Sequence, residues 1–227
     1  MIGFYNYTVI LTYLSVVSAG CGIIVSLSGG GHPYIGTFFL LFCGLCDAFD
    51  GKVARTKKDR SQAERSFGVQ IDSLSDLVAF GVLPAAIGEA ILRRSDLIRR
   101  AYGTPWQRIL EAGLTAVLIL YILAALIRLA YYNVTEEERQ RTEDGARVYF
   151  TGLPVTSTAL IFPVVLLLQY IIPADVTPVY FAAAAFCAVA FLSPFQMRKP
   201  GLKGVLVLVG IGAVEFLLML IGKVLKC

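Results

Sequence analysis

The stretch Cys46-Asp47-Ala48-Phe49-Asp50-Gly51-Lys52-Val53-Ala54-Arg55, followed after a charged connection by Gly68-Val69-Gln70-Ile71-Asp72-Ser73-Leu74-Ser75-Asp76, places four aspartates at the ends of two long apolar runs. Asp47 and Asp50 are three residues apart, and Asp72 and Asp76 are four apart. On helices, each pair shares one face, with Cβ atoms about 5–6 Å apart. One loop joins the two runs, so antiparallel neighbours would bring all four carboxylates to a similar depth.

Outward from this stretch, the chain is overwhelmingly apolar. Of its 227 residues, 57% are hydrophobic and 16% are charged, which excludes an ordinary water-soluble domain. A helix that crosses a bilayer needs about 20 mainly apolar residues. Seven stretches qualify, at 8–28, 34–54, 69–92, 108–131, 153–173, 176–194 and 204–224. Backbone polar groups in lipid must be satisfied within the segment, so these are helices. The first run lacks a basic leader and reads as a retained span. The expected fold is therefore an all-α, polytopic membrane bundle, a single domain over residues 1–227.

The net charge of +4 gives no case for nucleic acid and suits an anionic membrane surface. Lys52, Arg55, Lys57, Lys58, Arg60 and Arg65 crowd one connection, which the positive-inside rule makes cytoplasmic. The 29–33 turn then lies outside, and 133–150 and 198–203 lie inside. Arg93, Arg94, Arg99 and Arg100 fall outside and oppose this count. Cysteines are scattered; Cys43 and Cys46 have no second pair and no nearby histidine, and read as packing residues rather than a zinc site. His32 reads as a solvated turn residue, Trp106 with Tyr102 as an interfacial belt, and the mixed-sign run 136–144 as a solvated loop.

An aspartate near the centre of a spanning helix costs about 2.5–3.5 kcal/mol. Even discounted for depth, four would consume much of the roughly 5–15 kcal/mol stability of a whole protein. Arg55 alone cannot balance them. Two divalent cations would, and all-oxygen ligands suit magnesium or manganese, with calcium a further candidate. Two metals sharing carboxylates clamp the oxygens of a phosphoryl displacement. Gly51, Ala54 and Gly68 leave bare helix faces beside the aspartates, and Arg55 offers a forked donor for phosphate.

The full spacing, D-x2-D-G-x2-A-R-x12-G-x3-D-x3-D, resembles the signature of the CDP-alcohol phosphatidyltransferase family. Every fixed letter is present; only the Arg55–Gly68 interval is longer than usual for that family. The resemblance implies a bundle of six spanning helices, usually a homodimer, so the seventh apolar stretch is either an extra helix or one assignment too many. It implies that Asp47, Asp50, Asp72 and Asp76 bind two metal ions and that Asp76 is also the general base. It implies further that Asp47, Asp50, Gly51, Ala54, Arg55, Gly68 and Asp72 bind the CDP-lipid.

Three further segments resemble the serine-accepting branch: Asp72-Ser-Leu-Ser-Asp76-Leu-Val-Ala-Phe-Gly-Val-Leu-Pro84, Arg128-Leu-Ala-Tyr-Tyr-Asn133 and Tyr149-Phe-Thr-Gly152-Leu-Pro154. The implied substrates are CDP-diacylglycerol and L-serine, with Arg128 and Asn133 as candidate serine ligands. Arg128 reads equally as a residue snorkelling to the interface. Other acceptors within the same chemistry are glycerol 3-phosphate, inositol and inositol phosphate. A metal-ion transporter is the competing class, but it would spread ionisable groups through the membrane depth rather than gather them at one end. The implied location is the cell membrane, with the aspartates facing the cytoplasm. In a cysteine-free background, Lys58→Cys should react with an impermeant thiol reagent only from the cytoplasmic side, and His32→Cys only from outside. Reversed labelling would assign orientation to the 93–100 arginines instead.

Overall fold

The structure, a computed structural model, describes residues 3–57, 59–142, 149–171, 174–198 and 202–225; the side chains of 140–142, 149–150, 170–171, 198, 202–203 and 222–225 are outside that description. Lys58, Pro173 and parts of the 133–150 and 198–203 connections lie outside the described residues.

The chain is all-α apart from one short strand pairing. Helices α1 (Ile10–Leu27) and α2 (Pro33–Ala54) form a hairpin. A continuous rod follows, made of α3 (Gln62–Asp76), a π-helical segment Leu77–Val82 and α4 (Leu83–Leu92). Then come the short α5 (Asp96–Ala101), the long α6 (Trp106–Thr142), α7 (Thr158–Ile171), α8 (Thr177–Leu192) and α9 (Leu202–Leu225). Strands β1 (Tyr149–Thr151) and β2 (Gln196–Arg198) pair antiparallel.

All seven expected apolar stretches are helical. Five are long and apolar enough to cross a membrane: Tyr7–Leu27, Pro33–Ala54, Gln62–Leu92, Trp106–Arg139 and Gly204–Ile221. The first turn of the fifth stretch begins at Val155 rather than 153, and the sixth, Thr177–Leu192, is shorter than the 176–194 span expected. The physical reason is local. Residues 149–151 go into the strand pair, and Gly152 then turns the chain with φ +73°, where a Cβ would stand 2.8 Å from the Phe191 carbonyl oxygen. Pro154 follows as N-cap of a 3₁₀ turn, Val155–Ser157, that leads into α7.

Two further boundaries differ from the sequence reading. The third rod begins at Gln62, about two turns before 69, because Ser61 and Glu64 form a reciprocal capping box. The expected solvated loop at 136–144 is instead helical as far as Thr142, where strong helix formers and the Glu136–Arg139 ion pair at 2.7 Å extend α6.

Pro84 organises the centre of the bundle. It lacks the N–H that would bond the Phe80 carbonyl, and its ring crowds that carbonyl. The ladder widens there, with the Leu83 N–H reaching back to Val78. The freed Phe80 carbonyl accepts from Tyr121 Oη on α6 and from Thr158 Oγ1 on α7. Tyr180 Oη on α8 donates to the Pro84 carbonyl at 2.7 Å. The rings of these residues fill the core: Phe162 stacks on Tyr180 at 4.6 Å and meets Tyr121 edge-on at 5.7 Å. At the α1–α2 contact the backbones nearly touch, since a Cβ at Gly22 would lie 2.8 Å from Phe39 Cβ. Large apolar side chains stay exposed on α1 (Ile10, Leu14, Val17, Ile24) and along α9 (Leu206, Val207, Ile211, Val214, Leu217, Ile221), as a lipid-facing surface requires.

Hydrogen bonds define the two ends of the bundle. At one end Arg93 donates to the Leu27 carbonyl and Arg94 to the Gly30 carbonyl, and Arg99 pairs with Asp96. These arginines are engaged within the protein. Asp175, between α7 and α8, accepts from Ser95 Oγ at 2.7 Å, Leu97 N at 2.8 Å, and Thr177 N and Oγ1 at 2.9 and 2.5 Å. Burial alone would raise its pKa, but these donors outweigh burial and hold the carboxyl below the usual carboxylate value. A depressed carboxylate pKa contributes stability above the unfolded-state value, and the contribution is lost as pH falls through the folded value. Asp175→Ala should therefore destabilise the purified protein near neutral pH by about 1–3 kcal/mol. The melting curves of variant and wild type should begin to draw together as pH falls below about 4 and continue to do so through the lower folded value, measured by intrinsic-fluorescence thermal scans.

Candidate active site

The aspartates sit where α2 ends and α3 runs back beside it. Carboxylate oxygens of Asp47, Asp50 and Asp72 all lie within 4.8 Å of one another. Asp50 is buried, and its side chain lies against that of Asp72. Asp76, one turn further along α3, is outside this triad but within electrostatic reach of all three. The expected convergence thus holds tightly for three residues and more loosely for the fourth, because the helical rise carries Asp76 about 6 Å along the axis.

The triad fits a metal. Its donors are hard oxygens at mutual distances that one cation can bridge. Among the described residues the ion pairs are Lys57–Glu64, Arg93–Glu89, Arg99–Asp96 and Arg139–Glu136, and none includes these aspartates. Clustered, half-buried carboxylates without a paired side-chain cation call for a divalent ion.

A pocket opens from the triad. Asp50, Gly51, Ala54, Arg55, Gly68 and Asp72 line it, together with Thr8 just before α1, Thr12 in its first turn, Arg60 from the α2–α3 connection and Arg65 from the first turn of α3. Of the CDP-lipid residues expected from the sequence, Asp47 alone is missing from this lining. The sequence reading missed Thr8, Thr12, Arg60 and Arg65. The two arginines belong to the basic run that set the expected orientation, so they were visible as charge but not as pocket residues. The threonines carried no signal, since only the α1–α2 packing brings them here. Gly51 is open as expected, with Arg55 Nη1 3.6 Å from its Cβ position. Gly68 is not, since Arg60 Nη2 stands 2.6 Å from the corresponding point.

The connection that carries these arginines is clasped. Glu64 accepts from Lys57 Nζ at 2.8 Å, Asn6 Nδ2 at 3.0 Å and Ser61 N at 3.0 Å, and Phe4 packs edge-on to Phe67 at 5.3 Å.

The two expected acceptor ligands occupy different settings. Asn133 exchanges hydrogen bonds with Ser73, the neighbour of Asp72, at 2.8 and 3.0 Å. Arg128 is 6% exposed, so it does not snorkel. Its Nε donates to the Leu153 carbonyl at 3.2 Å, and its guanidinium lies 5.4 Å from the Tyr132 ring centre. The three separated segments thus meet: Asn133 on Ser73, Arg128 on Leu153, and Thr158 just beyond Pro154 on Phe80.

A model of the CDP-alcohol phosphatidyltransferase family matches residues 5–193. The chain belongs to this family. The matched region contains six helical rods: α1, α2, α3 with α4, α6, α7 and α8. The seventh, α9, lies beyond it and packs on α2 and α7, with Phe216 edge-on to Phe38 at 5.1 Å. The extra helix is therefore the last one. Among curated proteins, the chain is 33% identical over 148 residues to a CDP-diacylglycerol–serine O-phosphatidyltransferase of Saccharomyces cerevisiae, covering 64% of this chain and 45% of that protein. It is 28% identical over 156 residues to the protein so named in Mycobacterium bovis, covering 68% and 48%. An archaetidylserine synthase of Methanothermobacter thermautotrophicus is 30% identical over 148 residues, covering 65% and 53%. The chain thus spans about half the length of these relatives.

If the triad holds the family's metal, Asp50→Asn and Asp72→Asn should each weaken manganese binding by about tenfold or more. Titration of the purified variants followed by electron paramagnetic resonance measures this. Unchanged affinity in both would remove the metal from these residues.

Proposed function

We propose that this chain transfers the phosphatidyl group of CDP-diacylglycerol to L-serine, releasing CMP and forming phosphatidylserine. The observation that carries the reading is the carboxylate triad opening into a pocket lined by Asp50, Gly51, Ala54, Arg55, Gly68 and Asp72. The serine-specific names of the relatives support the acceptor.

Two divalent metal ions, magnesium or manganese, when bound by Asp47, Asp50, Asp72 and Asp76, would supply charge neutralisation on the diphosphate. The chain's own residues do the rest. Gly51 and Ala54 let the nucleotide approach the backbone of α2, and Arg55 meets a phosphate. Asp76 accepts the proton of the serine hydroxyl as its oxygen bonds to the lipid-bearing phosphorus; the bond from that phosphorus to the CMP oxygen breaks, and CMP departs with the electron pair. Arg128 meets the serine carboxylate, and Asn133 holds its ammonium. Both lie on α6, which packs against α3, and a zwitterion drawn from water needs both charges met. The active site faces the cytoplasm of the cell membrane, and the working unit is a homodimer.

The purified protein, incubated with CDP-diacylglycerol and manganese, should release CMP when L-serine is added. Glycerol 3-phosphate, inositol and inositol phosphate should not replace serine. Release driven by one of them in place of serine would reassign the acceptor. Arg128→Ala should raise the KM for serine by about 10- to 100-fold while leaving the KM for CDP-diacylglycerol nearly unchanged. A larger effect on the lipid KM would move Arg128 to the phosphate side of the site.

A further inference from the structure

Arg60 is not a fixed letter of the aspartate motif, yet it lies in the pocket wall with its guanidinium against the bare face of Gly68. Its two backbone contacts are long: Nη1 is 3.4 Å from the Ala54 carbonyl and Nη2 is 3.3 Å from the Glu64 carbonyl. Its Nε is buried and has no hydrogen-bond partner among the described residues. Asp59, beside it in sequence, is exposed, Glu64 is already engaged by Lys57, Asn6 and the Ser61 N–H, and no ion pair among the described residues includes Arg60. Arg60 thus has no ion-pair partner among the described residues, and its Nε–H is closed off without an acceptor while its side chain lines the pocket. A buried donor without an acceptor costs about 1–3 kcal/mol, unless a ligand supplies the acceptor. Guanidinium matches phosphate oxygens in shape and charge.

We propose that Arg60 binds the nucleotide end of the CDP-lipid, its guanidinium turning to donate to an oxygen of the phosphate next to cytidine. This rests on the CDP-lipid reading given above. The guanidinium then serves as the wall of the pocket at Gly68, a place that the motif alone would leave to bare backbone. The nucleotide is gripped between α2 and the connection that leads into α3, and the clasp of Glu64 by Lys57 and Asn6 fixes the height of that connection.

The test is calorimetric titration of CMP and, separately, of cytidine into the manganese-loaded full chain, as wild type, Arg60→Ala and Arg60→Lys. Arg60→Ala should weaken CMP binding by about 10- to 100-fold and leave cytidine binding unchanged. Arg60→Lys should recover part of the loss, because it restores the charge without the forked donor. In the transfer assay the KM for CDP-diacylglycerol should rise in parallel, with kcat and the KM for serine held. Equal CMP affinity in wild type and Arg60→Ala overturns the proposal, as does an equal loss for CMP and cytidine, or a lowered melting temperature with CMP affinity intact. If the wild type binds CMP but transfers phosphatidyl to no alcohol, the proposed reaction fails, and the CMP titration still decides the role of Arg60.

Discussion

Three carboxylates within 4.8 Å of one another, on helices that must live in a membrane, set the problem that the surrounding structure answers. Like charges at that range repel, and the low-dielectric surroundings strengthen the repulsion. No ion pair among the described residues offsets them. A fold that keeps them together must hold α2 and α3 rigidly side by side. The capping box at Ser61 starts α3 at a fixed point, and the Glu64 contacts tie that point to Lys57 and to the first residues of the chain. The segment they hold also carries Arg60 and Arg65, which line the pocket beside the aspartates.

The helix that bears Asp72 and Asp76 is anchored by its own irregularity. A proline at position 84 deprives the Phe80 carbonyl of its helical partner, and in an apolar core that carbonyl must find another. Tyr121, Thr158 and Tyr180 provide hydroxyls to this stretch from three different helices. The hydroxyls specify which helices meet there and at what height. The π-helical segment begins directly after Asp76, so the helical register changes between the residue proposed as base and the packed centre of the bundle.

The polar contacts at the two ends of the bundle differ in kind. At the end away from the aspartates, Asp175 joins the 93–101 segment to the start of α8, and Arg93 and Arg94 close the α1–α2 turn. These contacts consume charges that would otherwise count in reading orientation from sequence. At the aspartate end, Asn133 is bound to Ser73 and Arg128 to the turn before α7, which brings α6 and the 149–154 segment against α3. Helix α9 takes no part in either arrangement and lies outside the six rods that the family shares.

The sequence by itself determined the class of the fold, the seven apolar helices and the aspartate set. Those features rest on local periodicities: about 20 apolar residues per bilayer crossing, and three- and four-residue spacings that fix a face on a helix. It also carried signals that needed only a closer look, such as Ser61 with Glu64 as a helix start. Only the tertiary structure decided which residues enclose the pocket. Thr8 and Thr12 reach it because α1 packs on α2 through Gly22, and Arg60 covers Gly68 because its connection is clasped from the first turn of the chain. It also decided that Arg128 is buried rather than snorkelling, and that α7 starts later and α8 is shorter than their hydropathy implied. These outcomes depend on contacts between residues far apart in sequence, where a side chain's partner is set by how helices dock and not by its spacing along one of them.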